Sequence, residues 1–139
     1  MSDSAIKDKT EAVFAALGMA DMRDALVRDI PVGWKQKLAF SVATIHTPDV
    51  VFLDEPTGGV DPITRRKFWE LIYKSASDGM TIFVTTHYLD EAEYCNRTSI
   101  MVDGRIKALD TPARLKASYG VNTIDEVFRI VAKDAVRGD

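Results

Sequence analysis

One cysteine, Cys95, and two histidines, His46 and His87, are the only thiol and imidazole groups among 139 residues. An internal disulfide is excluded, and no zinc cluster of ordinary spacing can be assembled. Long apolar runs are missing as well. The longest extend a few residues, as in Val50-Val51-Phe52-Leu53, whereas a membrane span needs about 20 and a secretory signal a continuous apolar segment. The chain is expected neither to span a membrane nor to be exported by itself, and a cytoplasmic location follows. Positive charge is not in excess: 18 Lys and Arg against 21 Asp and Glu leave a net charge of -3, which argues against nucleic acid as a partner. Linker-like Pro/Gly/Ser tracts, repeats and low-complexity segments are also lacking. With 46% hydrophobic and 28% charged residues, the composition is that of a soluble globular domain.

Two segments of different character adjoin, 1–47 and 48–139. The first reads as helical. Val13, Phe14 and Leu17 form an apolar stripe ending at Gly18, which suits a left-handed helix cap. A short helix is expected over 22–27. A longer one is expected over 31–46, amphipathic and mostly buried through Trp34, Leu38, Val42 and Ile45, with Pro31 as its first helical residue. The second segment alternates strand and helix. Residues 50–53 predict a central parallel strand covered on both faces. Asp61-Pro62 opens a helix to about Ala76, with Phe68, Leu71, Ile72 and Ala76 inward, followed by a strand over 81–85. A short acidic helix near 89–94 precedes strands over 98–102 and 105–109, joined at Asp103-Gly104 by a type I′ turn. Helices starting at Thr111-Pro112 and over 124–131 complete an α/β pattern.

Ligands of parallel sheets gather at the carboxyl ends of the strands. One such end carries Asp54 and Glu55, and the next carries Thr85, Thr86 and His87. Two carboxylates ending an apolar strand are costly unless a cation or proton is held there. Mg²⁺ suits them, because it takes hard oxygen ligands and retains water. Asp54 is the metal-side carboxylate, Glu55 a base for a water, and His87 a group to sense a terminal phosphate. The simpler alternative is a turn started by Asp54-Glu55-Pro56.

The run Val50-Val51-Phe52-Leu53-Asp54-Glu55-Pro56-Thr57-Gly58-Gly59-Val60-Asp61-Pro62 resembles the Walker B motif and D-loop of ABC transporter ATPases. Thr85-Thr86-His87 with Asp90-Glu91-Ala92-Glu93 resembles their H-loop, and Ile30-Pro31-Val32-Gly33-Trp34-Lys35-Gln36-Lys37-Leu38-Ala39 their signature segment. Val102-Asp103-Gly104-Arg105-Ile106 and Asp110-Thr111-Pro112 match the usual hairpin and following helix, and 124–128 the tail of exporter-type drug and antibiotic ATPases. The resemblance implies a partial P-loop NTPase-like fold: a helical subdomain segment, then a parallel-sheet core with C-terminal hairpin and helices. It implies ATP and Mg²⁺ as cofactors, with Asp54 orienting the metal, Glu55 as general base and His87 contacting the γ-phosphate. Asp61 would communicate across a dimer, and the segment Ile30, Pro31, Val32, Gly33, Trp34, Lys35 and Gln36 would face the nucleotide on the partner. The implied partners are a second nucleotide-binding domain and a membrane-spanning transporter subunit, which would place the chain at the cytoplasmic face of the membrane.

Two departures stand out. Pro31 and Val32 occupy places where the family usually has serine and glycine, which removes a hydroxyl and one N–H and adds bulk. A phosphate-cradling loop, Gly-x-x-x-x-Gly-Lys-Ser/Thr, is absent, since no glycine of this chain is followed by lysine. The preceding strands and that loop would lie upstream of Met1, so an open sheet edge and exposed apolar surface are expected. The leading function is a partial ATP-binding and ATP-hydrolysing component of an ABC transporter. The alternative is a non-catalytic fragment that binds or modulates a complete ABC ATPase. A phosphoacceptor receiver domain fits less well, since His87 stands where its lysine is needed. Helix-end contacts account for His46, core packing for Cys95 and Trp69, and helix-dipole complementarity for Asp90, Glu91 and Glu93.

Overall fold

A computed structural model of the chain describes residues 2–136; the outermost residues of the two expected segments, 1 and 137–139, lie outside the described residues. The chain divides at Thr85/Thr86 into two compact units.

In the first unit, helix α1 (Asp3–Leu17) starts where the Ser2 hydroxyl accepts a hydrogen bond from the Ala5 amide and stops at Gly18, whose φ of 65° closes the last turn. Lys9 Nζ donates to the Ile45 carbonyl at 2.8 Å, tying α1 to the far end of the second helix. Instead of a helix over 22–27, two 3₁₀ turns occur, Ala20–Met22 and Val27–Asp29. Leu26 and Val27 are exposed, so no buried apolar face offsets the cost of nucleating a helix there.

Helix α2 (Val32–Thr44) begins one residue later than expected. Pro31 is its extended N-cap rather than its first helical residue, and its carbonyl accepts from the Trp34 and Lys35 amides. The buried residues of α2 are Phe40 and Ser41, while Val42 is exposed, so the helix is less buried than its stripe of Trp34, Leu38, Val42 and Ile45 suggests. Phe40 meets Phe68 of helix α3 (Pro62–Ser77) edge to face, with centroids 5.7 Å apart. On α3 the buried residues are Phe68, Trp69 and Ile72, and Ala76 faces solvent. Trp69 is a packing residue, as expected.

Strands β1 (Val50–Asp54) and β2 (Thr81–Thr85) pair in parallel, Val50 opposite Thr81 and Asp54 opposite Thr85. Among the described residues they form a two-stranded sheet. Coverage of β1 on both faces is therefore not observed: Val51 is buried, but Phe52 is 76% exposed and Phe83 58%. Those two rings stack at 5.2 Å and 15°, shielding each other where nothing else does, in line with the exposed apolar surface expected of an open sheet.

The second unit is built on a hairpin of β3 (Thr98–Val102) and β4 (Arg105–Asp110). Asp103 and Gly104 at its turn both have positive φ, 51° and 71°, as a type I′ turn requires. The expected acidic helix is a single 3₁₀ turn, Glu91–Tyr94. Helices α4 (Pro112–Tyr119) and α5 (Ile124–Val136) close a core of Ala92, Ile100, Leu115, Ile124, Val127 and Val131. The N-terminus of α5 carries a capping box: the Glu126 amide donates to Thr123 Oγ1, and Glu126 Oε2 accepts from the amides of Asn122 and Thr123. Dipole complementarity does not describe Glu91 and Glu93. Glu91 is fully buried and accepts from the Thr86 hydroxyl at 2.7 Å. Glu93 pairs with Lys116 at 2.6 Å and accepts from the Ile124 amide at 3.1 Å, joining α4 to α5.

Two positions in the first unit lend themselves to test. A Cβ at Gly33 would overlap Thr64 Cγ2, so Gly33→Ala should lower stability by about 1–3 kcal/mol, the range for overpacking. Adding Thr64→Ser, which deletes that methyl and keeps the hydroxyl, should restore much of the loss in urea unfolding. Asp61 caps α3 through Ile63 and Thr64, and its carboxyl is held below the usual range by the hydrogen bond with the Thr64 side chain and by the backbone amides of Thr64 and Ile63. A lowered carboxyl pKa gives stability that is present above about pH 4 and lost as pH falls through the folded-state value. The stability advantage of the parent over Asp61→Asn should therefore be constant at neutral pH and shrink below pH 4, followed by thermal melts from pH 7 to 2.

Candidate functional site

The parallel register brings Asp54 at the end of β1 beside Thr85 at the end of β2. The Thr85 hydroxyl donates to Asp54 Oδ1 and accepts from the Glu55 amide at 3.1 Å. The same amide also donates to the Thr85 carbonyl at 3.1 Å. One threonine thus holds both acids. Glu55 itself sits at φ 42°, a left-handed conformation that costs a non-glycine residue on the order of 1–3 kcal/mol and persists where its surroundings impose it. Both carboxylates are solvent-exposed. The sequence assigns Thr85 no role apart from Thr86 and His87; the signal for it is its place at the end of the neighbouring strand.

Among the described residues no three His, Cys, Asp or Glu side chains cluster as metal ligands. A cation at Asp54 would therefore complete its shell with water and phosphate oxygens, the manner in which Mg²⁺ is ordinarily bound. Asp54 with the Thr85 hydroxyl is an all-oxygen donor set, and the residues fit that ion.

Beyond Glu55, residues 56–61 return toward α2. The Gly58 amide donates to the Glu55 carbonyl at 3.0 Å, and Gln36 Nε2 of α2 donates to the Gly58 carbonyl at 3.0 Å. Between this loop and the N-terminal turns of α2 and α3 lies a cleft of about 300 Å³. Pro31, Val32, Gly33, Trp34 and Lys37 line one side; Gly59, Val60, Asp61, Thr64 and Lys67 line the other. Lys37 Nζ stands 4.8 Å from the centre of the Trp34 ring. Burial, then the neighbouring Lys67, hold the Lys37 ammonium below its ordinary pKa, with Glu70 acting in the opposite sense. No side chain caps α2, so the opening of that helix presents backbone donors, the arrangement that favours an anion.

The sequence-derived residues thus fall into three places. Asp54 and Glu55 share the strand end with Thr85. Pro31, Val32, Gly33, Trp34 and Asp61 share the cleft. Gln36 links the two through Gly58. Ile30 is buried, and Lys35 reaches back to the Arg28 carbonyl at 2.9 Å. His87 belongs to the second unit, where it is exposed and its ring lies 4.1 Å from that of Tyr88. Lys37 and Lys67 complete the cleft; the charge pattern alone does not distinguish them from other surface lysines.

No family model matches the chain. It is 44% identical over 110 residues to the Probable multidrug ABC transporter ATP-binding protein YbhF of Escherichia coli, covering 79% of this chain and 19% of that protein. It is also 44% identical over 118 residues to a fluoroquinolones export ATP-binding protein of Mycobacterium tuberculosis, covering 84% of this chain and 39% of that one. The chain therefore spans about a fifth and about two fifths of the lengths of these relatives. In structure it is similar to an ATP-binding subunit of an ABC transporter, with a TM-score of 0.78 and 24% identity over 94% of this chain and 56% of that one. Over most of its length the chain is a homologue of ABC transporter ATP-binding proteins, and its α/β fold is that of part of an ABC ATPase domain.

Proposed function

We propose that the chain acts as part of the ATP-hydrolysing machinery of an ABC transporter, of exporter type. The observation that carries this is the pair Asp54 and Glu55 at the end of β1, held by Thr85, in a segment similar to ATP-binding proteins of drug exporters. Asp54 and the Thr85 hydroxyl would hold Mg²⁺, which would supply Lewis-acid polarisation of phosphoryl oxygens. Glu55 accepts the proton of the attacking water, its backbone held by Thr85, the residue that also holds Asp54. His87 contacts the γ-phosphate. The cleft, with Pro31, Val32, Gly33, Trp34 and Asp61 on its walls, faces nucleotide held by a second nucleotide-binding domain. Ile30, Lys35 and Gln36 brace it from behind. A membrane-spanning subunit receives the work, and the chain lies at the cytoplasmic face of the membrane; no helix among the described residues is long and apolar enough to cross it.

Without a Gly-Lys phosphate loop, the 139 residues alone should bind MgATP weakly and release no phosphate. The same feature favours a second reading, a non-catalytic fragment that modulates a complete ABC ATPase. Substitution separates the two. In an ATP-hydrolysing assembly containing the chain, Glu55→Gln should lower turnover by about 10²- to 10⁴-fold while nucleotide still binds, the range for losing a general base. Asp54→Asn should raise the Mg²⁺ concentration needed for half-maximal turnover, and excess Mg²⁺ should rescue it but not Glu55→Gln. Turnover indifferent to Glu55 would favour the modulating fragment.

A further inference from the structure

Two lysines, Lys37 and Lys67, line the cleft together with one carboxylate, Asp61. Trp34 and Lys37 are three apart on α2, and Asp61, Thr64 and Lys67 rise in steps of three along α3, so each set occupies one helix face toward the same space. Two carboxylates stand near that space: Asp61, whose Oδ1 accepts from the Ile63 and Thr64 amides at 3.0 Å, and Glu70, which lies 3.7 Å from Arg66 and opposes on Lys37 the effect of burial and of Lys67. Trp34 places the Lys37 ammonium over its ring, which orients the charge without neutralising it. Two ammonium groups sharing one cleft repel each other, and a multiply charged anion between them would turn that repulsion into attraction.

We infer that Lys37 and Lys67 form a polyphosphate-binding pair, contributed jointly by α2 and α3, which supplies the cationic contact in a segment where Pro31 and Val32 lack the hydroxyl and backbone flexibility of serine and glycine. The ligand class is a chain of phosphates such as the triphosphate of a nucleotide. The inference rests on the reading that this cleft faces nucleotide, and it adds Lys67, a residue outside the signature-like segment. Burial and then the neighbour Lys67 hold Lys37 below its ordinary pKa against the opposing effect of Glu70, which agrees with the two ammonium groups standing close enough to interact. Trp34 stands beside the site and is half-buried, whereas Trp69 is buried elsewhere on α3.

The test uses the 139-residue chain carrying Trp69→Phe, so that Trp34 alone reports. Inorganic triphosphate is titrated by Trp34 emission and, in parallel, by calorimetry. The expected result is saturable binding, weakened at least about ten-fold by Lys67→Gln and by Lys37→Gln, in keeping with loss of a charge-assisted contact, and unchanged by Lys74→Gln at the far end of α3. Circular dichroism of each variant checks that the helices persist. Absence of saturable heat and emission change, or equal weakening by Lys74→Gln, overturns the lysine pair. Its failure is distinguishable from failure of the broader reading. Loss of the pair with Glu55-dependent hydrolysis intact in the assembly rejects the pair alone, whereas lysine-dependent triphosphate binding with hydrolysis indifferent to Glu55 supports the pair and rejects the catalytic reading.

Discussion

The in-register pairing of Val50–Asp54 with Thr81–Thr85 is the contact on which the arrangement of acids depends. It sets Asp54 opposite Thr85, and only in that register can one hydroxyl donate to the Asp54 carboxylate while accepting from the Glu55 amide. A slip by one residue would turn every side chain of the strand to the opposite face and separate the acids from their threonine. The left-handed conformation of Glu55 follows from the same anchor, because its amide is claimed by both the carbonyl and the hydroxyl of Thr85. The strand pair thus converts register, a property of backbone hydrogen bonding, into the direction in which a carboxylate points.

A second constraint is the close approach of α2 and α3. Gly33 lies against Thr64 with no room for a methyl group between them. Its glycine is therefore explained by packing between helices as well as by any ligand, and both demands fall on the same atom. Gln36 then fastens α2 to the loop that leaves Glu55 through the Gly58 carbonyl. The cleft and the strand end are in this way mechanically connected inside one compact unit.

Much of this was legible in the sequence because it rests on local rules. Asp61-Pro62 and Thr111-Pro112 start helices as caps, Gly18 ends one, Asp103-Gly104 turns a hairpin, and β2 and β3 run over the expected residues. Burial was less legible. The apolar run of β1 reads as a strand covered on both faces, but coverage depends on what is packed against it, and Phe52 is exposed. The stripe of α2 is less buried than its pattern for a related reason: helical spacing tells which residues share a face, not whether a partner lies there, and Val42 is exposed. Glu91 and Glu93 read as helix-dipole acids because their real contacts, Thr86, Lys116 and Ile124, include residues 23 and 31 positions away. Thr85 and Lys67 were hard to see in the same way, since their meaning comes from neighbours on other elements.

The stacked pair Phe52 and Phe83 bears on how the chain emerges during synthesis. Paired residues of β1 and β2 are 31 positions apart, with α3 between them. The pairing of β1 with β2 waits until α3 and then β2 have left the ribosome, and closing that crossover carries an entropic cost that local structure alone does not offset. During that interval residues 50–53 are an unpaired apolar, β-prone stretch, the kind of segment prone to misassociation. Asp49 on one side and Asp54 with Glu55 on the other bracket the four apolar residues with charge, the placement of gatekeepers around an apolar strand.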